Sequence, residues 1–401
     1  VIVVVGIGAD GMAGLAPASA AELRRATVIY GSHRQLELLD DTVTAERRQW
    51  PSPMLGAVRA LGDVDDDVHV VASGDPMLHG VGRLLIRLLG ADNVRVLPHV
   101  SSVTLACARL GWAVQDTEVI SLMTADLPTA VRSSGQAIVL CRDGHGPEAL
   151  ARLLTDAGRG DSELTVLEQL GGPTERRRDA TARAWAANPP DAVDDLNVVA
   201  VRYLPDDARL SVLPDDAFAH DGQLTKQSMR AVTLAALAPR KGELLWDVGA
   251  GSGSIAIEWC RSGPRCRAVA FERDGQRRER IAENALAQGV VVDVRGAAPA
   301  AFDEAVLIDG GIDWVPRPAA IFIGGGVTQP DLIEACYGRL PTGGRLVVNA
   351  VTAESEAVVA QWYSRVGGEL RRFQHYRGEP LGGFTGWRPA MPVTQWSVTK
   401  A

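Results

Sequence analysis

The chain has 401 residues, 46% hydrophobic and 22% charged, with a formal net charge of −8 at pH 7. That length suits two domains, three at most, and the acidic balance excludes wrapping of bulk DNA or RNA, though not a local basic pocket. No apolar run approaches the roughly 20 residues of a membrane-spanning helix, and an odd number of cysteines without a CxxC points to a reducing, cytoplasmic setting without structural zinc.

Short Val/Ile/Leu-rich runs alternate with amphipathic stretches, which predicts α/β architecture. The first strand, over 1–5, breaks at Gly6-Ile7-Gly8-Ala9-Asp10-Gly11 and has no basic leader, so it reads as a buried strand and not a signal peptide. A second strand over 68–72 ends in Ser73-Gly74-Asp75-Pro76, ahead of a helical stretch through Leu89. A third over 94–97 ends in Pro98-His99-Val100-Ser101-Ser102 before another helical run. Further strands are predicted over 137–140, 164–168 and 197–201. A polar, proline-bearing segment over 204–209, followed by Leu213-Pro214-Asp215-Asp216, places a boundary near 205–212 and gives domains 1–206 and 207–401.

A fresh series then begins with a helix over 226–237, a strand over 244–248, and Gly249-Ala250-Gly251-Ser252-Gly253 leading into a helix through Cys260. The next strand, over 268–271, ends at Glu272, and 275–288 predicts a helix with Ile281, Ala285 and Leu286 on one face. Strands over 290–294, 320–323 and 345–348 continue the series.

The strongest chemical signal is Asp247-Val248-Gly249-Ala250-Gly251-Ser252-Gly253 between a buried strand and a helix. Alternate glycines let the backbone turn tightly and approach a ligand where a Cβ would collide. The following helix offers N–H groups and its positive dipole end to an anion. Glu272, ending the next strand, is placed to accept hydrogen bonds from both hydroxyls of a ribose. A nicotinamide-binding turn expects GxGxxG, whereas this loop is GxGxG with an aspartate two residues ahead. A serine-hydrolase elbow needs glycine where Ala250 stands.

That spacing resembles the class I methyltransferases dependent on S-adenosylmethionine (SAM). The resemblance implies a Rossmann-like fold with Asp247, Gly249, Gly251, Gly253 and Glu272 around the cofactor. Pro214-Asp215-Asp216-Ala217-Phe218, Leu224-Thr225-Lys226-Gln227-Ser228-Met229-Arg230-Ala231, Gly296-Ala297-Ala298-Pro299 and Ile321-Phe322-Ile323-Gly324-Gly325-Gly326 sharpen it. With Pro380-Leu381-Gly382-Gly383 and Pro392-Val393-Thr394-Gln395-Trp396, they resemble the methylases that decarboxylate a cobalamin precursor, over nearly all of 213–398. Many SAM enzymes have an aspartate after the third-strand glycine. Here Ala297 and Ala298 stand there, so adenine contacts fall to backbone or elsewhere. Residues 302–318 read as an insertion with an additional strand.

In the first half, Gly6-Ile7-Gly8 joined to Ser73-Gly74-Asp75-Pro76 and Ser101-Ser102 resembles the tetrapyrrole methylase family. Glu168-Gln169-Leu170-Gly171-Gly172 with Glu175 is a further match. The resemblance implies two α/β subdomains with SAM between them, contacted by Gly6, Gly8, Gly74, Asp75, Ser101 and Ser102. The chain departs from the family at His99, where Pro-Gly is usual, and at Asp10, which is near but not at the place of a family aspartate. A plainer role for Asp75 is to cap the helix after Pro76, and for His99 to hydrogen-bond within its loop.

Two methylases of different folds on one chain resemble the decarboxylating precorrin C5,15-methyltransferases. The resemblance implies methylation of precorrin-6B at C5 and C15 by two SAM molecules, with decarboxylation of the C12 acetate to give precorrin-8. The carboxy-terminal half would methylate one bridge and decarboxylate, and the amino-terminal half would methylate the other. It also implies a homo-oligomer whose partner is a small tetrapyrrole, not nucleic acid or membrane. Such chemistry rests on alignment and exclusion of water and needs no metal. Substrate carboxylates call for cations, for which Lys226, Arg230 and Arg388 are candidates, with Thr225 as a polar positioner. Each cation has the alternative of a solvated surface position. Two rival readings stay open: an RNA 2′-O-methyltransferase, and a SAM-binding regulatory protein with one inactive half.

Overall fold

A computed structural model of the chain describes residues 1–63, 67–123, 125–132, 135–204, 212–263, 265–304, 307–309, 312–314 and 317–401. The chain divides into two compact units, Val1–Asp207 and Ala208–Ala401. The predicted linker around 206 and 207 lies outside the described residues.

In the first unit β1 (Ile2–Ile7), β2 (Val28–Gly31), β3 (Glu46–Gln49), β4 (Val68–Ser73) and β5 (Val94–Leu97) form a parallel sheet in the order β3-β2-β4-β1-β5. β1 is buried throughout, as an unbroken apolar run requires when both faces of a parallel sheet are covered. Val3, Val5 and Ile7 enter one core and Ile2 and Val4 another, on alternate faces. A second, mixed sheet of β6 (Glu118–Ser121), β7 (Gln136–Leu140), β8 (Glu163–Glu168), β9 (Arg176–Thr181) and β10 (Asn197–Arg202) has the order β6-β7-β10-β8-β9. One face holds Val139, Val166, Trp185 and Val199. The other meets the helix Ser102–Leu110 through Val103, Ala106 and Cys107. The unit is therefore built of two α/β subdomains.

The second unit contains β11 (Leu244–Val248), β12 (Arg267–Phe271), β13 (Val292–Arg295), β14 (Leu307–Asp309), β15 (Ile312–Trp314), β16 (Ala320–Ile323), β17 (Arg345–Ala350), β18 (Glu369–Phe373), β19 (Tyr376–Leu381), β20 (Phe384–Pro389) and β21 (Val393–Thr399). Its main sheet runs β13-β12-β11-β16-β17-β21-β18, parallel as far as β17 and finished by antiparallel β21 and β18. This is the Rossmann-like fold expected from the glycine loop. The core beneath it centres on Trp246, Phe271 and Phe302, whose ring centroids lie 4.9 to 5.1 Å apart. Each such aromatic pair contributes about 0.5–1.5 kcal/mol beyond its buried area. β14 and β15 pair as a hairpin inside the insertion, and β19 with β20 forms a second hairpin.

Candidate functional site

In the second unit, the carboxyl ends of β11, β12, β16 and β17 open on a cavity of about 850 Å³. After Val248 the chain turns through three left-handed glycines, with φ of +70° at Gly249, +60° at Gly251 and +77° at Gly253. A Cβ on Gly249 would stand 2.8 Å from the Gly325 backbone, and one on Gly253 would stand 2.7 Å from Ile281. At Gly251 the nearest atom would be the Gln223 carbonyl oxygen at 4.0 Å. Gly249 and Gly253 therefore serve close packing, and Gly251 keeps the cavity side of the loop open.

Glu272 is buried and faces this loop. One carboxylate oxygen accepts the Gly251 N–H at 2.9 Å and the other accepts the Asp274 N–H at 3.0 Å. Glu272, Gly249, Gly251, Ala297, Ala298, Thr225 and Lys226 all line the cavity. Asp247 and Gly253 are not among its lining residues. Asp247 instead accepts the Ala256 N–H at 3.0 Å, in the first turn of the helix Ser254–Arg261. Burial raises its pKa to about 7, against the lowering effect of that amide. It fastens the glycine loop to the helix behind the site.

Arg230 corrects an expectation. It was a candidate for holding substrate carboxylates, but its side chain is fully buried. It donates to Asp215 at 2.8 Å, to the Thr225 carbonyl at 2.6 Å and to the Leu213 carbonyl, and it stacks over Phe218. Glu258 lies 3.8 Å away. A guanidinium taken out of water must satisfy its charge and donors internally, so this one pins the segment around Leu213 and Asp215 instead of reaching a ligand. Arg388 is also misplaced for the role: it lies on β20, is 75% exposed, pairs with Glu379 at 3.1 Å and does not line the cavity. Lys226 remains at the cavity wall, half-exposed, with Nζ 3.8 Å from Asp215. Burial opposes the charge of Asp215, but Arg230, the Gln227 amide and Lys226 outweigh it and hold its carboxyl below the usual range.

Sequence reasoning missed Asn349, a lining residue at the end of β17. Its amide donates to Thr233 at 3.0 Å, and its carbonyl accepts from Gln395 at 3.0 Å. The only trace in the sequence is Gln395 inside the matched Pro392–Trp396 stretch.

In the first unit, three loops converge at the carboxyl ends of β1, β4 and β5. A Cβ on Gly6 would stand 2.0 Å from the Gly74 carbonyl oxygen and 2.6 Å from the His99 nitrogen. Gly74, at φ +55°, packs against Val100 and Ser101. A Cβ on Gly8 would collide with both Asp10 and His99, whose Oδ1 and Nε2 lie 3.6 Å apart. Asp75 accepts the Met77 N–H at 2.9 Å, and Ser101 caps its helix by accepting the Thr104 N–H at 3.1 Å. Ser102 begins that helix. From the second sheet the loop after β8 reaches the same place, since a Cβ on Gly172 would stand 2.9 Å from that of Ala9. Glu175 holds this loop by accepting the Gly171 N–H at 2.7 Å and pairing with Arg109.

Among the described residues there is no cluster of His, Cys, Asp or Glu fit to hold a metal, and no helix long and apolar enough to cross a membrane. Residues 1–185 match the model of the tetrapyrrole (corrin/porphyrin) methylases, and residues 216–400 match that of the precorrin methyltransferase domain. Over 399 residues, covering 100% of each chain, the sequence is 69% identical to the precorrin-6Y C(5,15)-methyltransferase (decarboxylating) of Mycobacterium tuberculosis strain CDC 1551 / Oshkosh. The chain belongs to the precorrin-6Y C(5,15)-methyltransferase family. Shorter relatives carry one methylation name each. A probable cobalt-precorrin-6B C(15)-methyltransferase (decarboxylating) of Pyrobaculum aerophilum is 30% identical, with 45% of this chain and 92% of the relative covered. A cobalt-precorrin-7 C(5)-methyltransferase of Salmonella typhimurium is 26% identical, with 44% of this chain and 88% of the relative covered. In this member of the precorrin-6Y family, the two glycine-loop sites thus fall one in each matched domain.

Proposed function

We propose that this precorrin-6Y family member binds SAM in both units, methylates precorrin-6B at C5 and C15, and decarboxylates the C12 acetate to give precorrin-8. The observation that carries the reading is the Glu272–Gly251 rim on the cavity of the second unit. Full-length membership of the family supports it over an RNA methyltransferase or a chain with one silent half. The names of the two shorter relatives, C(15) with decarboxylation and C(5), support one methylation per unit: C15 with decarboxylation in the carboxy-terminal unit and C5 in the amino-terminal one.

The residues present fit SAM. Gly251 leaves an open cradle that a Cβ would fill, and Glu272 keeps lone pairs for ribose hydroxyls after accepting two backbone N–H groups. Ser254 and Ile255 line the cavity at the start of a helix, where the dipole favours an anionic group such as a carboxylate. The backbone of Ala297 and Ala298 remains for adenine. When bound, SAM supplies a methyl made electrophilic by its sulfonium centre.

The chain's own contribution is placement. Lys226 offers a cation for a substrate carboxylate, Thr225 a polar contact beside it, and Asn349 a carboxamide fixed by Thr233 and Gln395. Phe271, Phe322 and Met229 give the cavity apolar walls, against which a seated macrocycle is shielded from water, and that strengthens each of these contacts. Loss of carbon dioxide leaves its bonding pair on the macrocycle, whose conjugated imine takes it up, so the pocket has only to hold and desolvate the carboxylate. In the first unit Gly6, Gly8, Gly74, Asp75, Ser101 and Ser102 form the corresponding set. Calorimetric titration of the full chain with SAM tests the cofactor reading. Two SAM per chain are expected, and one per chain would leave one methylation without a donor site.

A further inference from the structure

Arg34 is a half-buried cation at the carboxyl end of the first parallel sheet, and neither the sequence motifs nor the SAM set uses it. It stands just beyond β2, in the helix His33–Glu37. Its only hydrogen bond among the described residues is to the Ser73 hydroxyl, at 2.6 Å. No carboxylate of the described residues lies within 4.0 Å of it. That sets it apart from Arg132, which is comparably shielded but is held by both oxygens of Glu118, at 2.8 Å each. The difference appears in their ionisation: the Arg132 guanidinium is pushed above its usual range once Glu118 outweighs burial, whereas burial pulls that of Arg34 below it, opposed only by the more distant charge of Asp194. Asp194 is itself occupied, accepting from Gln169 and from the Leu196 N–H.

The position ties this cation to the glycine loops. Ser73 is the last residue of β4 and pairs in register with Ile7 of β1. Adjacent strands are about 4.8 Å apart, so the serine that Arg34 holds stands one strand spacing from Ile7, the residue before Gly8. Gln35 also donates to the Ser73 hydroxyl, at 2.9 Å. With two donors aimed at its oxygen, the Ser73 O–H is left to donate outward, and Ser73 is exposed. Arg34 retains N–H groups beyond the one given to Ser73, and a guanidinium fork matches a carboxylate in bidentate geometry.

We propose that Arg34 and Ser73 form a carboxylate subsite of the amino-terminal unit, taking an acetate or propionate side chain of the tetrapyrrole. This rests on the reading of that unit as a macrocycle methylase. The same chemistry fits the methionine carboxylate of SAM, and the experiment separates the two sources. The full chain carrying Arg34→Gln or Arg34→Lys is assayed for the C5 methylation with varied macrocycle and with varied SAM, while the C15 methylation and decarboxylation report on the integrity of the other unit.

The expected result is a macrocycle KM for the C5 step raised roughly ten- to hundredfold in Arg34→Gln, partial recovery in Arg34→Lys and an unchanged KM for SAM. A rise in the SAM KM alone would keep the anion subsite and assign it to the donor's carboxylate. Unchanged values for both, in a variant that melts like the parent, would overturn the proposal and leave Arg34 as a partner of Ser73 only. If the Gln variant does not fold, the parent protein is tested with the macrocycle as its methyl esters. The subsite requires weaker use of the esters in the C5 step, and equal use would overturn it. Absence of any C5 methylation by the parent would instead remove the underlying reading.

Discussion

Glu272 accepts the Gly251 N–H at 2.9 Å, so the acid just after β12 and the glycine turn after β11 form a single rim. Glu272→Ala removes both the ribose acceptor and the support of the turn. The expected loss is about 2–3 kcal/mol of SAM affinity at this site, roughly thirty- to hundredfold or more. Titration of the variant, at concentrations that saturate the parent, should find one remaining SAM site in place of two.

The loop glycines should separate by mechanism. Gly249→Ala adds a strained φ and a clash with the Gly325 backbone at 2.8 Å, so it should lower stability by several kcal/mol. Gly251→Ala carries about 1–2 kcal/mol of left-handed strain, yet its Cβ meets nothing nearer than the Gln223 carbonyl oxygen at 4.0 Å. That variant should fold and bind SAM more weakly. Melting temperature and SAM affinity, measured on both, make the comparison.

Arg230 and Lys226 sit four residues apart and should behave in opposite ways. Truncating Arg230 to Ala leaves Asp215 to Lys226 and the Gln227 amide and Glu258 to Arg261, strips the Leu213 and Thr225 carbonyls of their buried donor, and should cost about 3 kcal/mol. Lys226→Ala removes a half-exposed cation 3.8 Å from its partner, where less than about 1 kcal/mol of stability is at stake. Its effect should fall on the macrocycle KM of the C15 and decarboxylation steps. Urea unfolding and steady-state kinetics on the two variants distinguish these roles.

Asp247 gives the carboxy-terminal unit a pH dependence of a definite sign. Between its ordinary value of 3.8 and about 7, the folded protein keeps a proton that the unfolded chain has lost. Stability from this group therefore falls as pH rises through that window. Asp247→Asn keeps an oxygen for the Ala256 N–H and removes the titration. Its melting temperature relative to the parent should climb from pH 5 to pH 8, with a gain on the order of a few kcal/mol at the upper end. A difference independent of pH would contradict the assignment.

The apolar parallel strands were legible because burial on both faces leaves long runs of apolar residues, and β11 and β16 begin and end where the sequence predicts. The charged edge strands β3 and β9 were not. β3 reads ERRQ and β9 reads RRRDAT; charged residues suit strands with one unpaired side, but they erase the apolar alternation that marks a strand in sequence. β19 and β20 are mostly exposed and carry glycine and proline, which read as loop. At the site, Glu272 and the glycines were legible because strand, turn and helix are consecutive in the chain. Arg230 was misread because its neighbours in the motif line the cavity, while only tertiary burial under Phe218 and Glu258 decides where its own side chain goes. Asn349, Thr233 and Gln395 come from β17, a helix and β21, and no local pattern announces such a meeting.

The most direct test of the central claim is mass spectrometry of precorrin-6B incubated with the full chain and excess SAM. The account predicts a product that has gained two methyl groups and lost one carbon dioxide. A product with one methyl gained and carbon dioxide lost, persisting at saturating SAM, would contradict the assignment of a methylation to each unit.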